Sequence, residues 1–364
     1  MGPEGRKRRA CIPARGILRG FGWPRAFRVQ VCTPYPLRFA GGIAALLTLA
    51  APAGAQQELK VTPEVERAVT RGLEYLARSQ QPDGSWGDSQ YGKVSGVVGL
   101  AMLSFLAHGE IPDEGKYGQA IRRAVDYIVK NQQANGLLSN ESGSPMYSHG
   151  FATLALGEVY GMIDDPRVGQ ALKKAAGLIV SSQNSLGGWR YSVGSSDADT
   201  TVSGAQMMGL RAAANAGIEV PITAIERGVG FYKKCFCPGG GFGYTGPDSP
   251  SSARAGIGLL VLSLSGAYRS PEAKATAEFL LRGGGMDYGG YGYYSHYYCS
   301  QAMFQAGGRF WRHWNETMTP AIISMQAPDG SWPDRGGSGG VTCSTAFALL
   351  SLEINYNFLP IYQR

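Results

Sequence analysis

A short motif that recurs along the chain constrains the fold more than any other feature. The segments SQQPDGSWGD (79–88), SSQNSLGGWRYS (181–192) and MQAPDGSWPD (325–334) each place Gln, a polar turn, Gly and Trp in the same order. NQQANGLL (131–138) is a copy without the Trp, and the stretches 235–244 and 283–294 keep only the glycine and aromatic character. Such internal similarity, here every 43 to 52 residues, is typical of proteins built from repeated structural units.

Each copy of the motif lies between two segments with helical periodicity. The preceding segment is amphipathic: in EVERAVTRGLEYLAR, an apolar stripe runs through Val65, Val69, Gly72 and Leu76. The following segment, for example VSGVVGLAMLSFLAHG or VTCSTAFALLSLEINY, is apolar on nearly every side. A helix of that composition must be buried on every side.

These patterns predict an all-α fold, a single (α/α)6 toroid of about six helix hairpins. Amphipathic first helices form the outer ring and apolar second helices form the inner ring. The expected repeats span roughly 64–109, 117–161, 167–217, 222–266, 272–308 and 314–357. Gly109, Gly161, Gly217 and Gly266 are expected in the left-handed conformation just past the inner helices. Every repeat turn is expected at one end of the toroid, because each outer helix ends and each inner helix begins there.

The first 55 residues have the composition of an export signal. Residues 1–38 carry nine Lys/Arg and one acid, and the apolar run 39–51 is followed by Ala53-Gly54-Ala55. We therefore predict a signal peptide with a long basic n-region over 1–55, cleaved near Ala55, and a periplasmic or extracellular toroid over 56–364. An uncleaved membrane anchor is the alternative. Without this leader the chain is nearly neutral, so nucleic acid is not an expected partner.

The Gln-x-x-x-Gly-x-Trp turns resemble the QW repeats of squalene–hopene cyclase-type terpene cyclases, which belong with the prenyltransferase/squalene oxidase repeat proteins. The resemblance covers roughly residues 60–360 and implies the fold more specifically than an activity. We predict that the turns connect neighbouring repeats, with the Trp packed on the next unit and the Gln amide capping a helix end. The turn residues are Gln80, Trp86, Gln183, Trp189, Gln326 and Trp332.

The resemblance also implies a candidate catalytic acid. Cyclases of this type begin the reaction at an Asp-x-Asp-Asp motif, whose middle Asp donates a proton to an alkene or epoxide. The matching stretch is Asp197-Ala198-Asp199-Thr200-Thr201, where Asp199 falls on the donor position and Thr200 replaces the last acid. The alternative is that Asp199 caps the third inner helix, where backbone N–H groups would lower the pKa of its carboxyl.

A glycine- and tyrosine-rich segment precedes the fifth inner helix. GGGMDYGGYGYYSHYY (283–298) contains six tyrosines. Aromatic faces attract cations, so they would suit a cavity for carbocation chemistry. The alternative is a loop that packs on the neighbouring repeat. The predicted ligand-lining residues are Tyr288, Tyr291, Tyr293, Tyr294, Tyr298 and Trp189.

Four cysteines follow the predicted cleavage site: Cys235, Cys237, Cys299 and Cys343. In an exported protein they can form disulfides, and three pairings are open. We expect a disulfide such as Cys299–Cys343 in preference to a zinc site formed by His296 and Cys299. Neither a metal nor another cofactor is predicted.

Two functions from different classes remain open. The first is an exported toroid that binds an apolar ligand, an isoprenoid or lipid, or a protein partner, with a peripheral membrane contact as a further expectation. The second is a class II terpene cyclase-like isomerase that cyclises a polyisoprenoid after protonation by Asp199. The missing third acid, the single toroid and the export signal favour binding. A glycosidase, which needs paired carboxylates, is a third interpretation resting on Asp197 and Asp199 alone.

Overall fold

Six helix hairpins follow one another in the computed structural model, which describes residues 61–283, 291–335 and 339–363. The first helices of the hairpins are α1 (Pro63–Ser79), α3 (Gly118–Lys130), α5 (Pro166–Ser182), α7 (Ile222–Lys234), α9 (Pro271–Arg282) and α11 (Gly308–Ser324). The second helices are α2 (Ser95–Ala107), α4 (Pro145–Val159), α6 (Thr200–Asn215), α8 (Ser252–Leu264), α10 (Gly292–Ala306) and α12 (Val341–Leu352). The predicted signal peptide, 1–55, lies outside the described residues.

The two kinds of helix are buried as their composition requires. In α3 the buried residues recur every three or four positions, as at Ile121, Ala124, Val125 and Ile128, so one face packs inward. Every residue of α2 is buried, because this helix has apolar or small side chains on all sides. The amphipathic helices therefore form the outer ring and the apolar helices form the inner ring. No described helix has the length and hydropathy needed to cross a membrane.

The inner ring is closed. Following the chain, α2 contacts α4, then α6, α8, α10 and α12 follow in turn, and α12 contacts α2 again. Side-chain hydrogen bonds join the last hairpin to the first; for example, Gln326 Nε2 donates to Ala68 O at 2.8 Å, and Asp88 accepts from Thr342 N at 2.8 Å. The predicted all-α toroid of six hairpins is confirmed.

Four repeat turns in the described part of the chain connect one hairpin to the next by the same pair of hydrogen bonds. In four turns the Gln amide donates to the carbonyl of the Gly four residues later and to a carbonyl of the next outer helix. The tryptophans of three turns are buried, and each indole N–H donates to the carbonyl ten residues earlier. These Gln residues are Gln80, Gln132, Gln183 and Gln326, and the tryptophans are Trp86, Trp189 and Trp332.

Three details differ from the sequence-based expectation. The residue that corresponds to Gln in the fourth turn is Phe236 rather than Cys235, since Phe236 pairs with Phe242 as Gln80 pairs with Trp86. Gly161 lies inside a 3₁₀ turn, Tyr160–Met162, and does not have a positive φ. The sixth repeat begins at Gly308 rather than at 314, because the positive φ angles of Gly307 and Gly308 turn the chain sharply between α10 and α11.

The turn glycines test this connection between hairpins. Gly330 has φ +91°, and a Cβ on it would lie 2.4 Å from Arg71 O. Gly194 has φ +75°, but a Cβ there meets no atom within 4 Å. A left-handed alanine alone costs about 1–2 kcal/mol, which is the loss of unfolding free energy expected for Gly194→Ala. Gly330→Ala must also displace the turn from α1 and is expected to cost about 3 kcal/mol or more. Urea denaturation measures both, and equal losses would contradict the close contact.

The C-terminal segment covers one end of the inner ring. Ile361 N donates to Glu158 Oε2 of α4 at 3.3 Å, Gln305 Nε2 of α10 donates to Tyr362 O at 3.3 Å, and Tyr362 OH donates to Leu350 O of α12 at 3.4 Å. All three helix residues lie at the C-terminal ends of inner helices. The opposite end, where the inner helices begin, is called the mouth below.

Candidate functional site

Aromatic side chains cross the axis of the toroid just inside the mouth. Tyr147 of α4 and Tyr294 of α10 are not on neighbouring inner helices, yet their hydroxyl oxygens are 2.5 Å apart. Below them the ring of Phe151 lies 6.4 Å from that of Tyr298 and 6.1 Å from that of Phe347. We call these five residues the aromatic floor. The protein's own side chains therefore extend across the axis at this level.

Asp199 lies at the mouth as the N-cap of α6 and is fully buried. Its Oδ1 accepts from the backbone N–H groups of Thr201 and Val202, each at 2.8 Å, and from the Thr201 hydroxyl at 2.5 Å. Burial raises the pKa of this carboxyl, although the bonds from Thr201 and Val202 and the charge of Arg190 lower it. The expectation of a lowered pKa is therefore wrong, because desolvation outweighs the capping bonds.

Thr200 does not take the place of the missing third acid. Its hydroxyl donates to Gly243 O at 2.8 Å and its backbone N–H donates to Tyr244 O at 2.9 Å. Both bonds tie α6 to the turn of the next hairpin. The hydroxyl beside Asp199 belongs to Thr201, one residue further along the helix.

Arg190 lies between the two acids of the predicted motif. Its Nε is 3.5 Å from Asp197 Oδ2 and 3.7 Å from Asp199 Oδ2. Its guanidinium carbon is 5.1 Å from the ring centroids of both Tyr191 and Tyr244, whose hydroxyls are hydrogen-bonded to each other. Asp197 is 63% exposed, and both tyrosines are half-buried. We call these five residues the Arg190 cluster.

Sequence reasoning missed Arg190, Tyr191 and Tyr244. The signal was present, since Trp189 is followed by Arg-Tyr, whereas Trp86 is followed by Gly-Asp and Trp332 by Pro-Asp. The third turn therefore differs from its two relatives at the positions that form the cluster.

The predicted ligand-lining residues differ in their position and in their exposure. Trp189 and Tyr298 are buried within the packing, and Tyr293 is 1% exposed, so none of the three lines an accessible surface. Tyr294 belongs to the aromatic floor, and Tyr291 is 66% exposed at the start of α10. Tyr288 lies outside the described residues.

The four cysteines are buried free thiols, so the expected Cys299–Cys343 disulfide is not formed. Cys299 Sγ donates to Ser252 O, at 3.2 Å, on the α8 side, while the His296 ring packs 5.8 Å from Trp314 of α11. These two side chains therefore point to different neighbouring helices. Among the described residues, no group of three or more His, Cys, Asp or Glu side chains could hold a metal ion.

The capping role of Asp199 gives a direct stability prediction. Asp199→Ala removes the acceptor of three hydrogen bonds and is expected to lower the free energy of unfolding by about 1–2 kcal/mol. Asp199→Asn keeps an acceptor oxygen and is expected to lose less than half of that amount. Thermal denaturation of both variants would show this difference, and equal losses would exclude the capping role.

Comparisons with known proteins support the fold. No protein-family model matches the sequence. The GH76A α-1,6-mannanase from Salegentibacter sp. HEL1_6 is similar with a TM-score of 0.63 at 9% identity, covering 81% of this chain and 99% of the mannanase. An inactive variant of that enzyme in complex with α-1,6-mannotriose gives a TM-score of 0.62 at 9% identity, over 80% and 99%.

A family 76 mannosidase from Bacteroides thetaiotaomicron VPI-5482 gives a TM-score of 0.59 at 13% identity, over 81% of this chain and 98% of the mannosidase. These structures share the α/α toroid with the present chain. Membership in a QW-repeat or cyclase family is not shown.

Proposed function

We propose that the chain binds a short oligosaccharide at the mouth of its toroid. The observation that carries this proposal is the Arg190 cluster, where two aromatic rings, a guanidinium and a partly exposed carboxylate adjoin each other at the mouth. A pyranose presents C–H groups on its faces and hydroxyls at its edge, so it can stack on a ring while charged groups bind its hydroxyls. A few polar groups beside apolar surface are typical of ligand sites.

The structural neighbours favour a saccharide over the isoprenoid expected from the sequence. The similar α-1,6-mannanase, in its inactive variant, holds α-1,6-mannotriose. An isoprenoid of cyclase size needs an enclosed apolar cavity, whereas the aromatic floor occupies the axis between α4 and α10. A cyclase acid must also touch the alkene it protonates, and the Asp199 side chain is fully buried.

Hydrolysis is a second candidate function, favoured by one specific observation. Asp199 Oδ2 is buried without a hydrogen bond, and burial raises the pKa of this carboxyl while Asp197 lies exposed on the other side of Arg190. Glycosidases combine a protonated acid with a second carboxylate. Asp199 could reach a substrate only if the start of α6 opened.

Calorimetric titration of α-1,6-mannotriose into the full chain tests binding. Tyr244→Ala removes one ring from the Arg190 cluster and is expected to weaken binding about tenfold, since an aromatic contact contributes about 0.5–1.5 kcal/mol. Tyr268→Ala, a 50% exposed tyrosine just after α8, is the matched control and should bind like the wild type. Binding of squalene in place of the sugar, or equal weakening in both variants, would contradict the proposal.

Chromatography of mannotriose after incubation separates binding from hydrolysis. The binding proposal predicts intact trisaccharide with the wild type. Mannose and mannobiose that appear with the wild type and disappear with Asp199→Asn would instead establish the hydrolase.

A further inference from the structure

One position of the outer ring carries a basic residue at four of the hairpin junctions in the described structure. The turn glycines Gly84, Gly136, Gly187, Gly240 and Gly330 each lie against a backbone carbonyl of the next outer helix. That carbonyl belongs to Arg123, Lys174, Arg227, Ala275 and Arg71, respectively. The junction between the fourth turn and α9 is the exception, because it has alanine.

The arginines at this position bind the preceding turn. Arg71 Nη2 donates to Ala327 O at 2.7 Å and to Pro328 O at 3.1 Å. Arg227 donates to Asn184 O, which occupies the same place in the third turn as Ala327 O in the last. Arg123 donates to the Gln80 Oε1 oxygen at 2.7 Å. A guanidinium therefore lies across the outer side of each of these turns.

The fourth turn has the same backbone as the last one. Cys237 N donates to Gly241 O at 3.0 Å as Ala327 N donates to Ser331 O at 2.8 Å. The sequences are also alike, Cys-Pro-Gly-Gly at 237–240 and Ala-Pro-Asp-Gly at 327–330. The carbonyls of Cys237 and Pro238 therefore stand where Ala327 O and Pro328 O accept from Arg71.

The next basic residue along the outer helix is retained. Arg282 Nη2 donates to Gly239 O at 3.5 Å, as Arg78 donates to Asp329 O. Arg282 lies seven positions after Ala275, and Arg78 lies seven positions after Arg71. The guanidinium at position 275 is missing, and Gly239 stands where the last turn has Asp329.

A surface groove of about 420 Å³ lies at this junction. Pro238 and Gly239 form one wall, and the other wall is formed by α9 residues, two of them basic: Pro271, Lys274, Ala275, Glu278 and Arg282. Glu278 corresponds to Glu74, which lies beside Arg71. Glu278 forms an ion pair with Arg309 of α11, and Glu74 forms one with Lys116, which lies just before α3. The groove thus shares its turn carbonyls, its second arginine and its paired carboxylate with the surroundings of Arg71. It differs at one neighbouring position of the outer helix, where Lys274 corresponds to Thr70.

We propose that this groove is a docking site for an arginine side chain presented by a partner protein. The partner's guanidinium would donate to the carbonyls of Cys237 and Pro238, as Arg71 does within the chain. The planar fork of arginine suits two neighbouring carbonyl oxygens, which the single ammonium of lysine does not match. The site lies outside the Arg190 cluster and is independent of the proposed saccharide binding.

Nuclear magnetic resonance titration of the full chain tests the proposal with three acetylated pentapeptides, Gly-Ser-X-Ser-Gly amides in which X is arginine, citrulline or lysine. The arginine peptide is expected to shift the amide signals of residues 239–241. Citrulline has the same shape without the charge, and its peptide is expected to bind about tenfold more weakly, because bonds from a charged donor are stronger. Equal binding of the three peptides would overturn the proposal.

Two variants establish where the peptide binds. Ala275→Arg supplies the guanidinium from within the chain and is expected to abolish binding of the arginine peptide. The control, Gly177→Arg, adds a guanidinium on the exposed side of α5, where a Cβ meets no atom within 4 Å. Gly177→Arg should bind the arginine peptide like the wild type. Ala275→Met fills the groove without a guanidinium and serves if Ala275→Arg does not fold. Wild-type affinity in both position-275 variants would overturn the proposal.

Discussion

Trp332→Ala is expected to lower the free energy of unfolding by about 3–5 kcal/mol, the range for removing a large buried aromatic side chain. Trp332 is completely buried at the joint that closes the ring. Its indole N–H donates to Ile322 O at 2.7 Å, and a Cβ on Gly72 of α1 would lie 2.9 Å from its ring. The substitution therefore leaves a cavity between the last hairpin and the first, which urea denaturation would measure.

Trp332→Phe separates the contributions of the ring and the N–H group, and Tyr268→Ala is the control. Trp332→Phe keeps most of the packing and loses the hydrogen bond, so it is expected to cost less than the alanine variant. Tyr268→Ala, at a 50% exposed position, is expected to change the stability by less than about 0.5 kcal/mol. A loss below about 1 kcal/mol in Trp332→Ala, a typical value for an ordinary substitution, would contradict closure through this side chain.

Glu158 is expected to make the stability fall as the pH rises from about 5 to about 8, and Glu158→Gln is expected to remove this contribution. Burial raises the pKa of the Glu158 carboxyl to about 8, although the Ile361 N–H and the charge of Arg211 lower it. Because the folded-state pKa is above the unfolded value, the stability contribution is complete below the unfolded pKa. It is then lost progressively until the pH passes the folded-state pKa.

The expected size of this effect is large. A shift from 4.5 to about 8 corresponds to about 4–5 kcal/mol at 1.36 kcal/mol per pH unit. Glu353 is also buried with a raised pKa, so its part of the decline remains in the variant. Denaturation curves at pH 5 and pH 9 give the free energy of unfolding of both proteins. Between these pH values, Glu158→Gln should lose less of this free energy than the wild type.

Glu226→Gln, an exposed substitution on α7, is the control and should keep the wild-type pH dependence. A Glu158→Gln variant with the same decline between pH 5 and pH 9 as the wild type would show that this carboxyl is not held neutral under the C-terminal segment.

Local sequence patterns predict most of the fold. The apolar stripe of EVERAVTRGLEYLAR and the uniformly apolar α2 segment each define the environment of a helix without reference to the rest of the chain. The Gln and Trp residues marked the turns because they recur. The start of α11 was missed since it depends on two glycines with positive φ, a local conformation that periodicity does not report.

The site depended on contacts between distant parts of the chain. Tyr147 and Tyr294 meet across the axis, and no repeat pattern relates one to the other. The direction of the Asp199 pKa shift is set by a balance between burial and three hydrogen bonds, of which only the bonds could be expected from an N-cap position. The lining role expected for Trp189 and Tyr298 failed because aromatic composition does not distinguish packing from an accessible surface.

A crystal structure of the chain with α-1,6-mannotriose at saturating concentration would locate the proposed saccharide site. We expect one sugar ring stacked on Tyr244 or Tyr191, with its hydroxyls bound by Arg190 or Asp197, and an aromatic floor that stays in place beneath it. A mouth that remains empty at that concentration, or mannotriose bound only elsewhere on the toroid, would show that the Arg190 cluster is not a saccharide site.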